Sequence, residues 1–364
     1  MPGPQLSRRL PDFPWDTLAD ATQMARAHPG GIVDLSVGTP VDATPEPVRA
    51  ALSASSDAPG YPSVAGSPAL LEAIIGYLGR RWGASGLTPV NIAAAVGTKE
   101  AVGWLPTLLG LGAGDTVVVP RLAYPTYEVG AALVGATVAR ADTPAEVVGS
   151  PALIWINSPA NPHGAVMTID QLRDWVGFAR RTGAVLASDE CYGEFGWDAE
   201  PVSLLDARVN DGDVAGLLGV FSASKRSNMA GYRAGFMAGD PGLVQELVAV
   251  RKHLGMMMAA PVQAALAVAL GDRTHVDEQR ARYGRRRDAM RTALRGAGFR
   301  VEASAGGLYL WATRGEPGRE SLAWLAGRGI LVAPGDFYGP DGADFIRVAM
   351  TATDERIGAA VSRL

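Results

Sequence analysis

Between about residues 90 and 240 the chain repeats one pattern: a short apolar run, a polar cluster with glycine or proline, then a helical stretch. The runs are Ile92–Val96, Thr116–Val119, Ala152–Ile156, Ala184–Ser188 and Gly216–Phe221. A strand that is apolar at nearly every position, rather than at alternate ones, has to be covered on both faces. Helices alternating with strands supply that cover, and the alternation predicts an α/β fold with a mainly parallel, doubly wound sheet. Ligands of such sheets bind beyond the carboxyl ends of the strands. The residues that follow each run are therefore where chemistry is to be sought.

The last run leads into Ser222-Ala223-Ser224-Lys225-Arg226-Ser227-Asn228-Met229-Ala230-Gly231-Tyr232-Arg233. A lysine just past a buried strand is placed to lose its proton and attack a carbonyl. The flanking hydroxyls and the later arginine suit a phosphate dianion. Together they point to an aldehyde cofactor that carries a phosphate, pyridoxal 5′-phosphate. Taken alone, the stretch also reads as a solvated lysine in a Gly/Ser turn, which is what most lysines are. Gly97-Thr98-Lys99 opens a helix running to about Leu109 and offers free backbone N–H groups to the same phosphate. It lacks the glycine spacing and the Lys-Ser/Thr ending of a Walker A loop. Gly110-Leu111-Gly112-Ala113-Gly114-Asp115 follows a helix and precedes a strand, the reverse of a dinucleotide fingerprint.

The stretch from Ser222 to Arg233, with Gly235 two beyond the arginine, resembles the attachment site of the class I/II aminotransferases, PLP-dependent enzymes of fold type I. That resemblance implies specific roles. Lys225 would form the Schiff base, and Ser222, Ser224 and Arg233 would bind the phosphate beside Thr98 and Lys99. Asp189 would pair with the pyridine nitrogen and keep it protonated, while Tyr124 would stack on the ring. Asn161, in Asn161-Pro162-His163-Gly164, and Tyr192 would donate to the phenolate oxygen. Gly38, in Gly38-Thr39-Pro40, would lie against the substrate carboxylate, with Asn161 also on the substrate side. Arg347 would grip that carboxylate with a two-pronged contact; an arginine inside the apolar stretch Phe345–Met350 is costly unless paired. Tyr61 would reach the phosphate of a neighbouring subunit and so imply a homodimer with shared active sites. A tyrosine packed in a turn is the alternative there, and turn or cap chemistry is the alternative for Asn161 and Asp189 taken singly. The order Asn161, Asp189, Tyr192, Lys225, Arg233 is the family's order. No role falls to His163, and Cys191 reads as a small buried residue.

Over nearly the whole chain the likeness is to actinobacterial succinyldiaminopimelate aminotransferases. It is carried by Phe13-Pro14-Trp15-Asp16-Thr17-Leu18-Ala19-Asp20, Asp34-Leu35-Ser36-Val37-Gly38-Thr39-Pro40-Val41-Asp42 and Ala333-Pro334-Gly335-Asp336-Phe337-Tyr338-Gly339-Pro340. It implies formation of N-succinyl-L,L-diaminopimelate from the 6-oxo acid and glutamate, on the lysine and peptidoglycan route. Another amino acid aminotransferase or a β-lyase shares Lys225, Asp189 and Arg347. A non-catalytic regulator that binds the cofactor has no basic patch or DNA-binding extension to support it. Arg26, Arg121 and Arg226 stand unranked as groups for the distal end of the substrate.

The expected division is a large cofactor-binding domain over 41–272 and a smaller α+β domain from 1–40 and 273–364. The charged helix His275–Gly298 would connect them. Asp16 is expected to cap a helix over Thr17–Ala27, and Ile32–Ser36 to form a strand. Met256-Met257-Met258 reads either as an adaptable apolar wall near a partner's site or as core packing. Composition narrows the function further. A net charge of −4 leaves no basic footprint for nucleic acid. One cysteine excludes an internal disulfide and any multi-cysteine zinc site, and four scattered histidines offer no paired metal ligands. Met1–Asp20 has no apolar core of signal-peptide length, and Met256–Leu270, broken by Pro261 and Gln263, is too short to span a bilayer. A soluble, cytoplasmic enzyme is expected.

Overall fold

A computed structural model describes Ser7 and residues 10–364. Most of the first ten residues of the Met1–Asp20 stretch, and with them the start of the expected small domain, lie outside the described residues. Seven strands form one sheet in the order Ile92–Ala95, Gly235–Gly239, Leu217–Ser222, Val185–Asp189, Leu153–Asn157, Thr116–Val119, Thr137–Arg140. The five rightmost run parallel. Gly235–Gly239 is antiparallel to both of its neighbours. All five predicted runs are strands, and three of them extend far enough that Asn157, Asp189 and Ser222 are their last residues.

Two strands escape the sequence pattern. Thr137–Arg140 is a half-exposed edge. Gly235–Gly239 is bracketed by glycines that read as a turn, yet Gly235 is there because a Cβ would come within 2.8 Å of the Phe221 carbonyl oxygen across the ladder.

Helices cover both faces. Ile169–Thr182 shows why they form where they do. Thr168 Oγ1 accepts from the Gln171 N–H at 3.2 Å while Gln171 returns the bond to the Thr168 N–H at 2.9 Å, closing a capping box. Leu172, Trp175, Val176 and Ala179 face the sheet, and Gly183 ends the helix with φ of 75°.

A second, four-stranded antiparallel sheet runs Ala333–Pro334, Ile346–Ala349, Tyr309–Thr313, Arg300–Glu302. Its core takes residues from Leu18 to Leu35 and from Met290 onward, whereas residues between Val48 and Leu270 fill clusters around the large sheet. The 23-residue helix Thr274–Gly296 joins the two regions. Arg286 on it grips Asp42 with two bonds of 2.7 and 2.8 Å and Asp354 at 2.6 Å.

Two local expectations change. Asp16 caps nothing: Pro14–Leu18 is a 3-10 turn, and the helix proper covers only Ala19–Arg26. The strand at Ile32–Ser36 shrinks to Val33–Asp34, paired with Ile330–Leu331. Beyond it the Ser36 N–H donates to the Asp34 carboxylate at 2.9 Å and the Ser36 carbonyl accepts from Arg347 at 2.7 Å, so neither continues the ladder. Among the described residues no helix is long and apolar enough to cross a membrane.

Candidate active site

The C-terminal ends of the central strands open into a cavity of about 640 Å³. Lys225 enters it from the single helical turn Ala223–Arg226, which Ser222 starts by accepting the Ser224 N–H at 3.1 Å. Its amine reaches the Gly38 carbonyl. The next residue turns the other way: Arg226 is buried against Glu194 at 3.1 Å and lies over the Tyr77 ring. Burial, together with the guanidinium groups of Arg347 and Arg233, brings the Lys225 amine down to about 8.

Asp189 forms part of the cavity wall opposite and is only 5% exposed. Tyr127 donates to its Oδ2 at 2.9 Å, and the Cys191 N–H to its Oδ1 at 3.1 Å. Burial raises the carboxyl above its usual range, and these bonds pull against that rise. Asn157 ties this strand end to the next loop. Its amide donates to the Asp189 carbonyl at 2.7 Å, and its Oδ1 accepts the Asn161 N–H at 2.7 Å.

Thr98, Lys99, Ser222, Ser224 and Arg233 line one end of the cavity, where the helix Thr98–Leu108 presents its N-terminus. Gly97, at φ 78°, precedes that helix, and a Cβ there would sit 2.7 Å from the Arg233 Cζ. Arg233 itself has φ of 54°, left-handed for a side chain that gains nothing from it, and is fixed by a 2.9 Å bond to the Ala230 carbonyl. Tyr124, half-buried, meets Tyr127 edge-on at 6.0 Å, and the Lys99 amine lies 5.9 Å from its ring.

At the other end Arg347 is 2% exposed and has no carboxylate partner among the described residues. It donates to Asn161 Oδ1 at 2.8 Å and to the Ser36 carbonyl at 2.7 Å, and its Nε has no partner at all. Its guanidinium lies 3.9 Å over the Tyr309 ring. Tyr309 in turn meets the Tyr192 hydroxyl at 2.7 Å. Trp15, its ring 6.0 Å from the Arg347 guanidinium, and Phe13, its ring 5.6 Å from the Lys99 amine, also line the cavity.

Every residue to which the sequence assigned a cofactor or α-carboxylate role lines this cavity except Tyr61, which stands on the surface 94% exposed. Arg26, Arg121 and Arg226 are not among its walls: Arg121 pairs with Glu146 at 3.0 Å, and Arg226 is locked in the Glu194 network. Of the three methionines, Met258 is 2% exposed in one core cluster and Met256 packs against another. Asn157, Tyr127 and Tyr309 carried no role in the sequence. Asn157 had a usable signal, a polar residue ending an otherwise apolar strand.

An aldehyde cofactor with a phosphate needs an amine of lowered proton affinity, a cup of donors and a carboxylate for its ring nitrogen. This donor set fits, and Gly97 leaves room for the Arg233 guanidinium, which a Cβ there would meet at 2.7 Å.

Residues 31–364 match the family described as aminotransferase class I and II. The chain is 59% identical over 360 residues to a probable aminotransferase, Rv1178, of Mycobacterium tuberculosis, covering 99% of this chain and 86% of that one. It is 56% identical over 358 residues to the 4-dedimethylamino-4-oxo-anhydrotetracycline transaminase OxyQ of Streptomyces rimosus, covering 98% and 99%. Among solved structures, a double mutant of Thermus thermophilus aspartate aminotransferase superposes with a TM-score of 0.89 at 25% identity, covering 100% and 99%.

Proposed function

The chain belongs to the class I and II aminotransferases, and from that premise we propose that it moves an amino group between N-succinyl-L,L-diaminopimelate and 2-oxoglutarate. It is a pyridoxal 5′-phosphate-dependent aminotransferase acting on amino and 2-oxo acids. The observation that carries the residue roles is a buried arginine without an acid, facing a lysine of lowered proton affinity across one cavity. Leaving a buried guanidinium unpaired is costly, so an incoming α-carboxylate supplies what the protein omits.

When bound, the cofactor supplies the aldehyde that receives the amino group and the ring that draws off the electron pair at substrate Cα. Lys225 would hold it and would take and return the proton at substrate Cα. Asp189 would keep the ring nitrogen protonated, Asn161 and Tyr192 would donate to the ring oxygen, and Tyr124 would pack on the ring. Ser222, Ser224, Arg233, Lys99 and the N-terminus of the Thr98–Leu108 helix hold the phosphate. Arg347, with Gly38 and Asn161 beside it, orients the substrate so that Cα meets the lysine.

The core partition supports a large domain over 41–272 and a small one from 1–40 and 273–364. A homodimer with Tyr61 given to the partner's phosphate is part of the proposal. So is a cytoplasmic setting, where the unpaired Cys191 stays reduced.

The succinylated substrate rests on the likeness of the three stretches quoted above. A second reading has its own support: the Streptomyces relative, matched along its whole length, is named for a tetracycline ketone. Glutamate-dependent turnover decides between them. The proposal expects kcat/KM for the succinylated 6-oxo acid at least about tenfold above that for the tetracycline ketone, a margin of roughly 1.4 kcal/mol. A preference for the ketone overturns it, and pyruvate release from a β-substituted amino acid without transamination points to a lyase.

A further inference from the structure

Three groups with separate tasks converge on Tyr309. Its hydroxyl lies 2.7 Å from that of Tyr192, its ring lies 3.9 Å beneath the Arg347 guanidinium, and its hydroxyl fills the space a side chain at Gly38 would need. Tyr309 is 4% exposed and Tyr192 5%, and both line the cavity. A buried phenol pair of this kind has a direction, since one hydroxyl donates and the other is left with its proton free.

The asymmetry is set by Arg347. A cation over an aromatic face draws electron density from the ring and makes that phenol the better donor. We propose that Tyr309 is a positioning residue that donates to the Tyr192 oxygen, so that the Tyr192 proton is turned into the cavity toward the cofactor's ring oxygen. The bond does more than aim the side chain. A hydroxyl that accepts one hydrogen bond donates more strongly in the next, so the ring oxygen facing Tyr192 keeps its negative charge to lower pH. Arg347, Cys191, Tyr124 and Tyr338 are charged or titratable neighbours of the pair, and burial keeps both phenols protonated through the working range.

This inference rests on the reading of Tyr192 as a donor to the cofactor, and the test separates the two. Tyr309→Phe, Tyr192→Phe and the double variant are loaded with cofactor, and the visible absorbance of each holoenzyme is titrated with pH. One hydrogen bond of ordinary strength corresponds to a shift of roughly half to one pH unit. The expected result is an upward midpoint shift of that size in Tyr309→Phe, a larger one in Tyr192→Phe, and no further shift when Tyr309→Phe is added to Tyr192→Phe. An unchanged midpoint in Tyr309→Phe beside a shifted Tyr192→Phe overturns the inference. So does a Tyr309 shift that survives in the Tyr192→Phe background. An unshifted Tyr192→Phe overturns the donor reading of Tyr192, and the inference with it.

Discussion

Lys225 and Glu190 show how burial gives neighbouring residues opposite kinds of work. Burial and two nearby guanidinium groups bring the Lys225 amine to about 8, so near neutral pH part of it is available as a base. Lys225→Ala is expected to lose the absorbance of covalently held cofactor and on the order of 10³-fold in turnover. Asp189→Ala should still bind cofactor yet turn over slowly; full activity in either variant sinks the assignment. Glu190, 4% exposed beneath the site, has its carboxyl pushed up to about 7 by burial, against bonds from Ser203 and the Leu204 N–H. The folded chain therefore keeps a proton that the unfolded chain releases near 4.5, and stability falls as pH rises from about 4.5 to 7. Glu190→Gln removes that loss. Its melting temperature is expected to match wild type near pH 5 and exceed it by roughly 2–4 °C at pH 8, and parallel melts at both pH values check the sign.

At the scale of elements, the turn that carries Lys225 is fastened to the start of the connecting helix. Ser227 Oγ lies 2.8 Å from His275 Nε2, and His275 Nδ1 lies 2.7 Å from Asp272. The order is that of a hydrolytic triad, but Ser227 is 1% exposed, shares its oxygen with Arg226 at 3.0 Å and lines none of the main cavity. The arrangement is a fastening. Burial holds the imidazole below its usual value despite Asp272, so the clamp is intact above about 6.5 and weakens as pH falls below it. His275→Ala removes the ring's bonds to Ser227 and Asp272, at about 0.5–1.5 kcal/mol at pH 8. The gap to wild type is expected to narrow by pH 5.5, and a gap that is constant with pH discards the role of the ring.

The same scale explains what the sequence could tell. Apolar runs that stop abruptly at Asn157, Asp189 and Ser222 mark strand ends, so the parallel sheet and most of the cavity were legible. Gly235–Gly239 was not, because its glycines answer to a neighbour's carbonyl rather than to a local turn. Tyr309 sits in Tyr309–Thr313, a strand buried at every position, and only the fold reveals that its hydroxyl faces Tyr192 and not solvent. Tyr127 was hidden for the same reason, being a core aromatic until Asp189 is placed beside it.

For the whole molecule the open element is Tyr61, large, aromatic and 94% exposed, far outside the cavity of its own chain. An exposed ring of that kind fits a residue completed by a second copy. Tyr61→Ala is expected to weaken cofactor binding about tenfold, on the order of one charge-assisted hydrogen bond. Mixed with Lys225→Ala protomers, it should regain activity, since the hybrid holds one site with both residues intact. Absence of recovery, or a monomer in sedimentation, rules out the shared site.

The strand Gly235–Gly239 lies wedged between Ile92–Ala95 and Leu217–Ser222. The strand before Gly97 and the strand that leads to Lys225 are therefore joined in the sheet only through a segment that follows both in the chain. A chain truncated before Gly235 would lack the strand that sets the helix Thr98–Leu108 beside the lysine turn, and is expected to hold no coenzyme.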